Sequence, residues 1–131
     1  MQDLLSLLQN PWIFLPIGYL FTIAIEMPIL CVGLSPEHSL SRRLYAGVWL
    51  TACTYPIVVL VVPAWFDLET ERGQYLVVAE SVAHLGECLL FWIAFRPLKQ
   101  PWRDLAVVFG ANLASFGGGE LFYWIIGMYN E

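Results

Sequence analysis

Polar residues in this chain gather into three short clusters, and the stretches between them are oily. Four long apolar runs, at about 12–34, 44–66, 75–95 and 105–128, are separated by the segments SPEHSLSRR, DLETERGQ and RPLKQPWRD. A helix rises ~1.5 Å per residue, so each run is long enough to cross the ~30 Å hydrocarbon layer of a bilayer. In lipid each such segment must satisfy its own backbone polar groups, which selects helices here. Short connections favour antiparallel neighbours. The pattern therefore predicts an all-α integral membrane protein, with four transmembrane helices in an up-down antiparallel bundle forming one domain over residues 1–131. Ahead of the first run, MQDLLSLLQNPW has no basic start, and its apolar part is too short for a signal sequence. Leu4, Leu5, Leu7 and Leu8 are expected to form an amphipathic turn in the membrane interface before Pro11 and Trp12.

Composition agrees with the pattern. Hydrophobic residues make up 59% of the 131 positions and charged residues only 13%, with a mean hydropathy of +0.66, values outside the range of ordinary water-soluble domains. The formal net charge of −5 says little about partners, because several of the acids lie within apolar runs. The basic residues are more informative. Arg42 and Arg43 fall at the first connection and Arg96, Lys99 and Arg103 at the third, while Arg72 alone belongs to the second, beside Asp67, Glu69 and Glu71. The positive-inside rule then puts the first and third connections in the cytoplasm and both termini on the extracytoplasmic side, as expected for a bacterial inner-membrane protein. Trp12, Trp65, Trp92, Trp102 and Trp124 lie near the expected span ends, where an aromatic belt would sit.

The apolar runs carry candidate chemistry. Glu80, His84 and Glu87 recur at i, i+4 and i+7, so they share one face of the third helix. The first run places Gly18, Thr22 and Glu26 four residues apart; the second carries Gly47, Thr51, Thr54 and Tyr55; the fourth carries Asn112, Ser115 and Gly119, with Glu120 next to a triple glycine. Pro28 and Pro56 each leave a carbonyl one turn earlier, at Ala24 and Ala52, without its helical donor. The glycines are expected either to notch the helix for close packing or to interrupt it beside a site.

By depth, Glu80 and Glu120 fall in the outer third, Glu26, Glu87 and Asn112 lie deeper, and His84 and Tyr55 stand between. These residues form an expected ion- or proton-handling track, with Thr22, Thr54, Tyr55 and Ser115 as supporting polar groups. No basic residue falls inside the expected spans to pair with the acids. A charged side chain near the bilayer centre costs at least ~2.5–3.5 kcal/mol, so the carboxyls must be protonated, hydrated or facing a cation. Carboxylates with an imidazole recur as divalent sites in helical bundles, which makes Glu80, His84 and Glu87 candidate ligands for a divalent metal ion.

Motifs for soluble chemistry are lacking. There is no GxSxG, HExxH, Walker A or dinucleotide fingerprint, and Cys31, Cys53 and Cys88 show no metal-ligand spacing. A bis-histidine haem would need a second intramembrane histidine, and His38 lies in the first connection. The sequence thus points away from an enzyme and toward a transport or channel component for protons or small cations. The alternative is a non-catalytic membrane subunit that docks a partner through its polar faces. Expected partners are the lipid bilayer and either further copies of the chain or a larger membrane complex, not nucleic acid.

Overall fold

The computed structural model describes residues 2–127, apart from the side chain of Leu5. A short helix α1 (Gln2–Leu8) precedes four long elements: α2 (Pro11–Gly33), α3 (Leu40–Pro56), α4 (Arg72–Phe95) and α5 (Pro101–Ile125). There is no strand among the described residues. Local chemistry sets the starts. The Asn10 side chain accepts from Trp12 N at 3.0 Å with Pro11 in the first helical position, and the Ser39 side chain accepts from Arg42 N. Pro101 opens α5 in the same way.

Helix α3 changes character after Pro56. The chain widens into a π turn (Ile57–Val61) and then tightens into a 3-10 turn (Val62–Trp65), which contains Pro63. A proline lacks the N–H that an α-helix needs, and the wider turn accommodates the missing bond. The carbonyl of Val58, within that turn, accepts from the Tyr75 hydroxyl of α4 at 3.2 Å. Three expected starts shift. Helix α3 begins at Leu40 rather than 44, α4 at Arg72 rather than 75 and α5 at Pro101 rather than 105, because each connection folds into helix sooner than its polarity suggests. The expected end of the fourth run at 128 lies outside the described residues.

The long helices touch in a ring: α2 packs on α3 and α5, and α4 packs on α3 and α5, while the diagonal pairs α2/α4 and α3/α5 do not meet. One end of the ring is solid. Leu30 late in α2 and Leu34 just past its end, Ala46 and Leu50 early in α3, Phe91 and Phe95 late in α4, and Val108 and Ala111 early in α5 form one buried cluster. At Gly33 a side chain would put its Cβ 2.7 and 2.9 Å from the two methyls of Val107, so glycine sets how closely α2 and α5 pack. The other end is hollow. The outer surface is apolar along every long helix, with Leu20, Val32, Val77, Leu85, Leu89 and Leu113 exposed and Val32 at 83%. All four long helical runs have the length and hydropathy to cross a membrane.

Candidate functional site

The hollow end encloses a cavity of about 490 Å³ that is reached by all four long helices. Two carboxyls line it deep in the bundle, one from each of the diagonal helices. Glu26 of α2 is 1% exposed and Glu87 of α4 is 3% exposed. The helices between them supply the donors in pairs three residues apart, a spacing that puts both members on one face. From α3, the Thr51 hydroxyl meets Glu26 Oε2 at 3.0 Å and the Thr54 hydroxyl meets Glu87 Oε1 at 2.6 Å. From α5, the Ser115 hydroxyl meets Glu26 Oε1 at 2.6 Å and Asn112 Nδ2 donates to Glu87 Oε2 at 2.7 Å. Each carboxyl oxygen thus has one neutral partner.

Three of those partners have a second acceptor within reach. Thr51 Oγ1 lies 3.2 Å from Gly47 O, Thr54 Oγ1 3.2 Å from Leu50 O, and Ser115 Oγ 2.9 Å from Asn112 O. A hydroxyl has a single hydrogen to donate but can also accept. Facing an ionised carboxylate, it donates to that oxygen. Facing a carboxylic acid, it can accept the acid's hydrogen and turn its own toward the backbone carbonyl. Both protonation states of Glu26 and Glu87 can therefore be satisfied without moving a helix. Asn112 differs, because its two amide hydrogens are taken by Glu87 Oε2 and by Val108 O at 3.1 Å. The oxygen of Glu87 that can carry a proton is then Oε1, beside Thr54.

Toward the mouth the wall carries Glu80 and Glu120, with Tyr55 and Tyr75. Arg72 Nη2 lies 3.3 Å from Glu120 Oε1. The expected place of Arg72 is the second connection, outside the spans; α4 starts early enough to bring it into the lining beside the acids. Thr22 also faces the cavity. At Gly18 an added Cβ would collide with the Tyr55 hydroxyl, so the small residue makes room for that side chain. The triple glycine does not break α5, which runs on to Ile125. A Cβ at Gly118 would meet Ile25 at 2.8 Å, as a packing notch requires, and Gly119 borders the cavity.

His84 stands apart from the other sequence candidates. At about 100° per residue, Ala83 and His84 fall on opposite sides of the line through Glu80 and Glu87. Ala83 is the one that lines the cavity. The His84 ring packs edge-on against Phe109 of α5 at 4.7 Å, and its Nδ1 bonds the Glu80 carbonyl at 2.7 Å, 3.5 Å from Glu80 Oε2. Glu80, His84 and Glu87 are not drawn into a common ligand set.

A second polar cluster, which the sequence did not single out, lies beyond the apolar plug. Asp104, in the first turn of α5 and 0% exposed, accepts from Ser35 N at 2.8 Å, from the Ser35 hydroxyl at 3.0 Å and from His38 Nε2 at 2.9 Å. Glu37 Oε1 stands 3.5 Å from His38 Nε2 and accepts from Lys99 N at 3.0 Å. Arg43 donates to the carbonyls of Cys31, Ser35 and His38 and closes the end of α2, while Arg42 lies over the Phe95 ring. Both arginines thus hold the local structure at this end of the bundle. Glu37, His38 and Asp104 are the one set of three metal-type ligands gathered among the described residues. Their contacts, however, read as a completed clamp. His38 Nδ1 is buried without a partner, which suits a neutral ring donating from Nε2 to Asp104; a metal on Nε2 would force the hydrogen onto Nδ1 and strand it. Only a histidine and an aspartate in two separate polar segments hinted at this cluster.

Comparison with known protein families, characterised proteins and solved structures finds no match to this chain.

Proposed function

We propose that the chain is an integral membrane protein, an up-down bundle of four transmembrane helices, whose acidic cavity takes up and releases protons as part of a small transport component. Insertion is supported by the four long apolar helices and the apolar side chains they turn outward. Up-down order is supported by the apolar plug, which joins the ends of α2 and α4 to the starts of α3 and α5. With five of six basic residues at or beside the two connections on the plugged side, that side belongs in the cytoplasm, and the cavity and both termini belong outside, as in a bacterial inner membrane.

The observation that carries the functional reading is the set of three hydroxyls, each placed between a buried carboxyl oxygen and a backbone carbonyl. That arrangement suits a group that changes protonation state in place. It favours protons over a metal ion, because the oxygens of Glu26 and Glu87 are engaged one by one with neutral donors and no third ligand joins them. The apolar plug favours a one-sided binding cavity over an open channel. A subunit that docks a partner through its polar faces draws less support, since Glu26, Glu87 and Asn112 are buried within their own bundle. Further copies or a larger complex would have to meet the apolar exterior instead.

Difference infrared spectroscopy of the full-length protein in lipid, with the pH stepped across the neutral range, tests the reading. Carboxyl bands that appear and disappear with pH, one lost in Glu26→Gln and another in Glu87→Gln, are expected. Bands that are the same in both variants as in the parent protein would overturn it.

A further inference from the structure

A proton needs no cavity of about 490 Å³. That volume falls in the range, roughly 300–1,000 Å³, that holds small organic ligands. The lining narrows the class. Four carboxyls face the space, Glu26, Glu80, Glu87 and Glu120, against one basic residue, Arg72, which lies 3.3 Å from Glu120. An organic anion would meet this field unfavourably. A bare metal ion would need several oxygens free to converge on it, whereas Glu26 and Glu87 are each held by two donors. Between the acids the wall is apolar and aromatic, with Phe14, Phe21, Val58, Leu76 and Phe116 among its residues. Such a wall removes little from a hydrated ion and favours a ligand with substantial hydrocarbon.

Glu80 is the carboxyl best placed for a ligand's charge. It lies on the wall, outside the hydroxyl network of the deeper pair, and its side chain is 26% exposed. The neighbouring His84 Nδ1 is directed to the Glu80 backbone carbonyl at the shorter distance of 2.7 Å. Tyr55 and Tyr75 line the same space, and aromatic rings attract a cation.

We propose that the cavity binds an amphipathic organic monocation, an amine or quaternary ammonium or phosphonium with aromatic or alkyl bulk, with its charge beside Glu80 and its hydrocarbon on the aromatic wall. Arg72 at the mouth opposes the ligand's charge and holds part of Glu120's. Entry of the cation is balanced by loss of a proton from the acidic lining to water, so the charge within the bundle is unchanged. This inference rests on the proton-handling reading of the same cavity and adds its ligand.

The test uses tetraphenylphosphonium and its size-matched anion tetraphenylborate, with equilibrium dialysis against the purified full-length protein. Preferential binding of the cation is expected, weakened about tenfold or more by Glu80→Gln and strengthened by Arg72→Ala. Size-exclusion profiles and thermal stability identify variants that have lost the fold, and Phe116→Leu, which keeps apolar bulk, should retain the charge preference. Equal binding of the two ions, or binding of the cation unchanged in a folded Glu80→Gln, would overturn the proposal. Infrared carboxyl bands recorded on the same ligand-free samples separate the two readings. Bands that titrate without cation preference leave proton handling standing and remove the ligand; cation preference without titrating bands does the reverse.

Discussion

Replacing Asp104 strips the partner from donors that have little other recourse. In Asp104→Ala the Ser35 N–H loses the carboxylate oxygen 2.8 Å away, and His38 Nε2 loses the one at 2.9 Å, while the Ser35 hydroxyl can turn to Glu37 Oε1 at 3.3 Å. Ser35 N is left unsatisfied, at about 1–3 kcal/mol, while His38 Nε2 keeps only the longer contact to Glu37 Oε1 at 3.5 Å, a smaller loss of about 1 kcal/mol. Together these give an expected loss of about 2–4 kcal/mol. Asp104→Asn should cost about half as much. Its carbonyl oxygen can still accept from Ser35 N, but its amide would face His38 Nε2, which must then accept. The ring hydrogen moves to Nδ1, a buried atom with no partner. On a His38→Phe background that penalty vanishes, so Asp104→Asn should become nearly neutral there, and the double-mutant cycle isolates the histidine. Unfolding free energies from steric trapping in bicelles provide the measurement. A loss in Asp104→Asn as large as in Asp104→Ala, or one unaffected by His38→Phe, would refute this account of the clamp.

Two further outcomes follow from the packing. Gly33→Ala should destabilise the bundle by about 1–3 kcal/mol, since both methyls of Val107 obstruct the new Cβ and no rotation clears them; Val107→Ala in the same chain should recover most of the loss, as read by thermal unfolding in detergent. Glu26→Gln should fold with a stability change within about 1 kcal/mol, because Thr51 or Ser115 can accept from the new amide and redirect its own hydrogen to a carbonyl. Adding Thr51→Val and Ser115→Ala to that variant removes the redirection, and a larger loss in the triple variant is the check.

Periodicity along the chain was enough to determine four long helices and to place Glu26, Thr54, Glu87, Asn112 and Ser115 as candidates, because each lies at a helical spacing from another polar residue in an otherwise apolar run. Such residues can be tolerated only where they turn away from lipid, and the physics of burial makes that legible from one dimension. Which groups meet was decided by tertiary structure. Thr51 serves Glu26 and Thr54 serves Glu87 because α3 packs between the two diagonal helices, a ring order that no local pattern encodes. His84 shares a face with Glu80 and Glu87 on a helical projection, yet the cavity takes the Ala83 side of that face and Phe109 takes the other. Arg72 reaches Glu120 only because α4 begins before the apolar run does. The Ser35–His38–Asp104 clamp joins two connections more than sixty residues apart in sequence, and its parts look like ordinary polar loop residues until the ends of α2 and α5 are brought together. Sequence spacing fixes directions around a single helix axis; partners across the bundle depend on the rotation and order of helices, which are set by packing over the whole chain.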